Sequence, residues 1–218
     1  MYNYSDEREL NSLTQTSPPL RDVIFVSSMK KFVIIHGTNG SPEGNWFPWL
    51  AEALRHQHAE VVIPRMPTPD GQNLLNWVSE FSRQVGVIDE GTTLIGHSLG
   101  ATFLLRILER QTAPVAQSVF VAGPLDKIGI AEYDQLNCSF IETSYDWVTI
   151  RRNAGRVVCL SGEGDPYVPA LQGEQLAANL GVKNRIIPCG GHLNAEFGYT
   201  SFPELFDLLN LAGARTAP

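Results

Sequence analysis

Three residues of this chain have the types and settings that covalent acyl transfer needs. Ser98 lies in Gly96-His97-Ser98-Leu99-Gly100, Asp165 in Ser161-Gly162-Glu163-Gly164-Asp165-Pro166, and His192 in Cys189-Gly190-Gly191-His192-Leu193. A serine hydroxyl is a poor nucleophile until a base takes its proton. A histidine serves best as that base when a carboxylate holds its ring in one tautomer. Serine, acid, histidine is one of the chain orders in which such triads occur.

The G-x-S-x-G pattern is weak alone and gains its force from context. Thr92 to Ile95 reads as a buried strand and Ser98 to Arg110 as a helix, so the serine falls where a strand turns abruptly into a helix. Such a turn strains its central residue, and bulk on either side would strike the neighbouring strand and helix. Gly96 and Gly100 remove that bulk and leave the hydroxyl exposed. The free N–H groups of a helix start also favour negative charge developing there.

Regular alternation positions the other two residues. Strands are expected at Phe32 to Ile35, Val61 to Ile63, Thr92 to Ile95, Gln117 to Val121, Arg156 to Leu160 and Arg185 to Ile187. Helices are expected from Asn45 to about Gln57, Gln72 to Val85, Ser98 to Arg110, Ala170 to Leu180, and near the end, where Ser201 and Glu204 form a capping box. Strands alternating with helices imply an α/β fold: a doubly wound, mostly parallel sheet of about six strands. Ser98, Asp165 and His192 each follow the carboxyl end of a different strand, where open α/β sheets bind ligands. The irregular stretch 123–153 is too short for a large cap, but it has room for a small helix or a pocket wall.

Other residues receive lesser roles. Asp126 and Glu163 compete for the role of acid, but Asp165 has the better position before Val168-Pro169. His36, in His36-Gly37-Thr38-Asn39-Gly40, reads as loop support, and His97 as a packing and hydrogen-bonding residue. Backbone N–H groups of Thr38 and Leu99 are the expected oxyanion hole. Trp46, Phe47, Tyr167 and Leu193 are the expected pocket residues, which would suit a small or medium apolar acyl group. His56 and His58 have no third ligand nearby, so no metal site is expected.

Bulk properties limit the partners. A chain of 218 residues with 43% hydrophobic and 18% charged content is an ordinary globule. A net charge of -7 without a clustered basic face argues against nucleic acid. Apolar runs are too short for a membrane span. The three cysteines cannot all pair, and Cys159 and Cys189 read as buried thiols, so a reducing cytoplasm is expected. The expected partner is a small-molecule ester or acyl compound.

Across about Lys31 to Leu211 the chain resembles the α/β-hydrolases, and within them the small serine hydrolases related to retinoblastoma-binding protein nine and the bacterial YdeN-like proteins. The resemblance rests on F-V-I-I-H-G-T-N-G-S-P-E-G-N-W-F-P-W-L, G-H-S-L-G, Y-D-W-V-T-I, G-D-P-Y-V-P and G-G-H-L-N. It implies a triad at Ser98, Asp165 and His192, no cofactor, no large cap, and esterase-like or peptidase-like activity. The animal member is named for partner binding through Leu-x-Cys-x-Glu; Leu136-Asn137-Cys138-Ser139-Phe140 ends in Phe, which speaks against that role. The same three residues would also serve an acyltransferase, and the scaffold alone would serve as a binding module.

Residues 1–28 read as a poorly ordered tail ahead of a single domain over 29–218, with Val23 to Val26 the sole strand-like run in the tail. Met29 opens a stretch like a natural protein start. The expectation that translation begins there predicts an intact mass lacking the first 28 residues; a native protein that retains Met1 refutes it.

Overall fold

The computed structural model describes residues 29–210. The expected tail over 1–28, its strand-like run and residues 211–218 lie outside the described residues. One sheet holds β1 (Lys31–Ile35), β2 (Glu60–Val62), β3 (Thr92–His97), β4 (Gln117–Val121), β5 (Arg156–Gly162) and β6 (Asn184–Ile187). Its order is β2-β1-β3-β4-β5-β6, with every pairing parallel. The connection from β1 to β2 runs outward on one side and β3 returns on the other. The carboxyl ends of β1 and β3 therefore flank the topological switch point, where such sheets open a crevice.

The helices are α1 (Phe47–Arg55), α2 (Leu74–Val85), α3 (Leu99–Leu108), α4 (Ala131–Ile141), α5 (Trp147–Asn153), α6 (Ala170–Asn179) and α7 (Pro203–Asn210). The two-residue period of the strands divides the core between them. Phe32 and Ile34 of β1 face a cluster built with α1 and α7, whereas Val33 and Ile35 face one built with α2 to α6. β3 and β4 are buried along their whole length, which is why they read as continuous rather than alternating runs. Trp77, fully buried on α2, packs edge-on against Phe103 and Phe140, with ring centroids 5.3 and 5.0 Å away. Such large aromatic side chains each contribute about 2 kcal/mol or more of burial.

Several boundaries depart from expectation for local reasons. Asn45 does not cap α1. Its φ is 50°, and its Oδ1 accepts the Ala195 N–H at 3.0 Å, so the helix starts two residues later. Asn73 caps α2 by accepting the Asn76 N–H at 2.9 Å, which moves that start from Gln72 to Leu74. α7 begins at Pro203, so Phe202 rather than Ser201 stands at its cap position. Cys159 is buried as expected, but Cys189 is exposed, because it lies past the last strand in a turn with φ of 52°. No helix among the described residues is long and apolar enough to cross a membrane.

The stretch 123–153 forms α4 and α5 and is held down by a buried arginine. Arg106 of α3 donates to the carbonyls of Phe140, Thr143 and Ser144 at 2.9, 2.6 and 3.1 Å. Its guanidinium also pairs with Glu109 and lies 3.9 Å from the centre of the Tyr145 ring. Removing it strands several carbonyls and a half-buried carboxylate. Arg106→Met is expected to lower stability by about 3 kcal/mol in urea unfolding; a loss below about 1 kcal/mol would contradict this stapling role.

Candidate active site

Ser98 stands between β3 and α3 with φ 55° and ψ −128°, a strained conformation for any residue with a side chain. The surroundings enforce it. A methyl group at Gly96 would lie 2.5 Å from the Gly100 carbonyl, and one at Gly100 would strike the carbonyl oxygens of Ile35 and His36. The Ser98 N–H donates to the Val121 carbonyl at 2.9 Å, tying the elbow to β4. Gly37 passes so close that a methyl there would lie 2.7 Å from Ser98 Cβ. This brings the Thr38 loop against the serine. The N–H groups of Thr38 and Leu99 have no hydrogen-bond partner among the described residues.

Asp165 and His192 meet past the ends of β5 and β6. Asp165 Oδ2 accepts the His192 Nδ1–H at 2.8 Å, and Oδ1 accepts the N–H groups of Tyr167 and Val168 at 2.8 and 3.1 Å. The carboxylate is thus fixed on both oxygens, and the ring is left to act through Nε2. The two glycines before His192 are required by space: a side chain on Gly191 would run into the Phe197 ring, and Gly190 packs against Gly162. The rival acids are occupied elsewhere. Asp126 is exposed and accepts the Lys127 N–H, while Glu163 accepts the N–H of Cys189. No hydrogen bond joins Ser98 Oγ to His192 among the described residues, a separation usual before substrate tightens such a site.

His36 and His97 support the loops. His36 is buried, donates Nδ1–H to the Gly37 carbonyl at 2.8 Å and accepts the Met66 N–H on Nε2 at 3.0 Å. Burial lowers its pKa, and both bonds suit the neutral ring. His97 donates Nε2–H to the His192 carbonyl at 2.9 Å, coupling the elbow to the histidine loop. Burial first, and then the neighbouring His192, lower its pKa to about 3.

Ser98 and His192 line a cleft of about 300 Å³, as do Gly37, Thr38 and Tyr167. Three of the expected pocket residues do not. Trp46, Phe47 and Leu193 are fully buried, because α1 turns both aromatics onto the sheet. The Trp46 indole N–H is met by the Leu193 carbonyl at 3.0 Å, and both rings pack edge-on to His97. They support the site from beneath. Tyr167 lines the cleft, with its hydroxyl donating to Glu196 at 2.8 Å. The lining not foreseen is mostly neutral and polar: Asn39, Asn45, Tyr133, Asn137 and Asn194, with Pro124, Ile128 and Val168 as its apolar part. It contains no Lys, Arg, Asp or Glu side chain, which corrects the expectation of an apolar pocket. Nothing in the spacing of α4 marked Tyr133 and Asn137; the length of the irregular segment was the available signal. No group of three or more His, Cys, Asp or Glu side chains is placed to hold a metal among the described residues.

A parallel sheet with the crevice at its switch point, and a strained serine between β3 and α3, define an α/β-hydrolase. The chain belongs to the serine hydrolase family, whose sequence profile matches residues 32–211. It is 29% identical over 182 residues to the hydrolase YdeN of Bacillus subtilis, covering 83% of this chain and 94% of that protein. It is 24% identical over 176 residues to the serine hydrolase RBBP9 of Rattus norvegicus, covering 79% and 92%. The crystal structure of the ydeN gene product superimposes with a TM-score of 0.80 at 28% identity, over 86% of this chain and all of that one. Est1E from Butyrivibrio proteoclasticus shares the fold at a TM-score of 0.65 and 15% identity, over 86% of this chain and 89% of that one.

The buried His97 links stability to pH. Unfolded, it titrates near 6.5; folded, near 3, so between these values the unfolded chain holds the extra proton. Stability from this group is intact above pH 6.5 and is lost as pH falls toward 3, at up to about 1.4 kcal/mol per pH unit. His97→Gln, which keeps a donor for the His192 carbonyl, is expected to flatten that slope in urea unfolding across this range. Equal slopes in wild type and variant would show that His97 does not carry the effect.

Proposed function

We propose that this hydrolase cleaves small or medium carboxylic esters, thioesters or activated amides through an acyl-enzyme on Ser98. The observation that carries the reading is the 2.8 Å bond between Asp165 and His192 in the cleft that holds the strained Ser98. His192 Nε2 takes the Ser98 proton as Oγ attacks the carbonyl carbon. Asp165 holds the opposite ring nitrogen and stabilises the imidazolium. The oxyanion is met by the N–H groups of Thr38 and Leu99, each contributing about 3 kcal/mol to the transition state. Collapse returns the His192 proton to the leaving group. Water then attacks the acyl-enzyme by the same route in reverse and releases the acid.

A cleft of about 300 Å³ suits a small-molecule substrate better than a folded protein. The chemistry asks for no cofactor, since proton transfer and oxyanion stabilisation come from this chain's own groups.

A fluorophosphonate is expected to add once to the wild type, seen as a single mass increment, and not to Ser98→Ala. The same variant should lose at least about 10⁴-fold in kcat on an ester while keeping its fold. Asp165→Asn is expected to lose about 10⁴-fold and Asp126→Asn to stay near wild type. Turnover retained by Ser98→Ala refutes the reading, and a crippled Asp126→Asn refutes the choice of acid.

A further inference from the structure

Beside the proposed catalytic groups, a polar relay that acyl transfer itself does not use reaches the cleft at Thr38, Asn39 and Asn137. The backbone N–H of Asn39 donates to Thr68 Oγ1 at 2.7 Å, and that hydroxyl donates to Gln72 Oε1 at 2.6 Å. Gln72 Nε2 donates to Thr38 Oγ1 at 3.1 Å and to Asn137 Oδ1 at 2.8 Å. The Thr38 hydroxyl also donates to Asn137 Oδ1, at 2.7 Å. The direction follows from the start of the relay, where a backbone amide has only a proton to give. The 2.6 Å step then has the length of a hydroxyl donating to a carbonyl, shorter than an amide N–H donating to a hydroxyl. Gln72 therefore turns its amino group toward Thr38 and Asn137.

Both incoming bonds end on Asn137 Oδ1, so the relay leaves the Nδ2 amino group unspent. It has no partner among the described residues, although Asn137 is only 6% exposed and lines the cleft. Asn194, two residues past His192, lines the same cleft, and its Oδ1 is buried without a partner. The Asn137 amino group keeps its access to the cleft, so a ligand that covers it without accepting its proton is weakened. The Thr38 side chain binds Asn137 while its backbone amide faces the oxyanion position. The unspent donor is thus one hydrogen bond removed from the reacting carbonyl.

We propose that Asn137 determines specificity by donating its Nδ2–H to a neutral carbonyl oxygen in the acyl part of the substrate. The substrate class is then an ester of an acid bearing an uncharged amide. An aliphatic acyl chain leaves the Asn137 donor unpaired. A carboxylate finds no cation in the lining. This assignment rests on the serine hydrolase mechanism proposed above.

The test compares p-nitrophenyl esters of matched shape whose acyl chains end in a carboxamide, an isopropyl group or a carboxylate, each at several methylene spacings. Wild type is expected to favour the carboxamide over its isopropyl counterpart by about tenfold or more in kcat/KM at the best spacing, and to handle the carboxylate worst. Asn137→Asp keeps an acceptor for Thr38 and Gln72 but replaces the donor with an oxygen, so it should abolish the preference. An equal loss on carboxamide and isopropyl esters shows a purely structural role and overturns the proposal. So does a wild type that hydrolyses both at the same rate while still forming the fluorophosphonate adduct; the mechanism would stand and the specificity would fall. Absence of both adduct and hydrolysis removes the mechanism and this inference together.

Discussion

Backbone packed directly on backbone, where β1 and β3 end, is the constraint on which the rest of the site depends. Gly100 leaves room for the carbonyls of Ile35 and His36, Gly96 for the first turn of α3, and Gly37 for Ser98 itself. Each contact excludes a methyl group, so the three segments lock at a separation that ordinary side chains forbid. Two consequences follow together. Ser98 is held at φ 55°, because relaxing it would move α3 into β1. The Thr38 amide is carried to the serine's side, because Gly37 fixes the height of its loop. The placement of Ser98 and that of the Thr38 amide thus share one cause, and a side chain added at any of the three glycines would disturb both.

The second layer of the site is a set of buried groups that carry no charge. His97 joins the elbow to the His192 loop by one hydrogen bond, and burial keeps its ring neutral. In the proposed mechanism, a protonated ring there would repel the imidazolium formed on His192. Trp46 and Phe47 enclose His97 edge-on, and Trp46 reaches past it to the Leu193 carbonyl. Through these contacts α1 sets the position of a loop nearly 150 residues further along. The tryptophan is positioned by packing and anchored by its one polar atom, the usual condition for burying an indole.

Much of the fold and of the geometry of the candidate site was legible in the residues, for identifiable reasons. β-branched runs mark buried parallel strands irrespective of their neighbours, and β4 was read to its observed ends. The elbow was readable because its glycines answer a local steric demand. Asp165 and His192 were readable because each follows the carboxyl end of a strand. The pocket was not. Trp46 and Phe47 face the sheet because Asn45 adopts a left-handed conformation and spends its side chain on Ala195, which fixes the start and roll of α1. No periodicity carries that information. α4 was opaque for a related reason: Asn137 and Phe140 are its buried residues, too few to leave an amphipathic trace.

The polar lining and the Asp165–His192 pair beneath it are complementary. Asp165 and His192 are nearly sealed from solvent, with side chains 6% and 7% exposed, and no ionic side chain shares their cleft. In such surroundings a charge developing on the substrate oxygen is felt by fixed dipoles more strongly than it would be in bulk water. A lysine or arginine in the lining would compete with His192 for the Asp165 carboxylate. Amides and phenols orient a ligand without changing the charge around that pair. A neutral lining therefore leaves the hydrogen bond between Asp165 and His192 undisturbed.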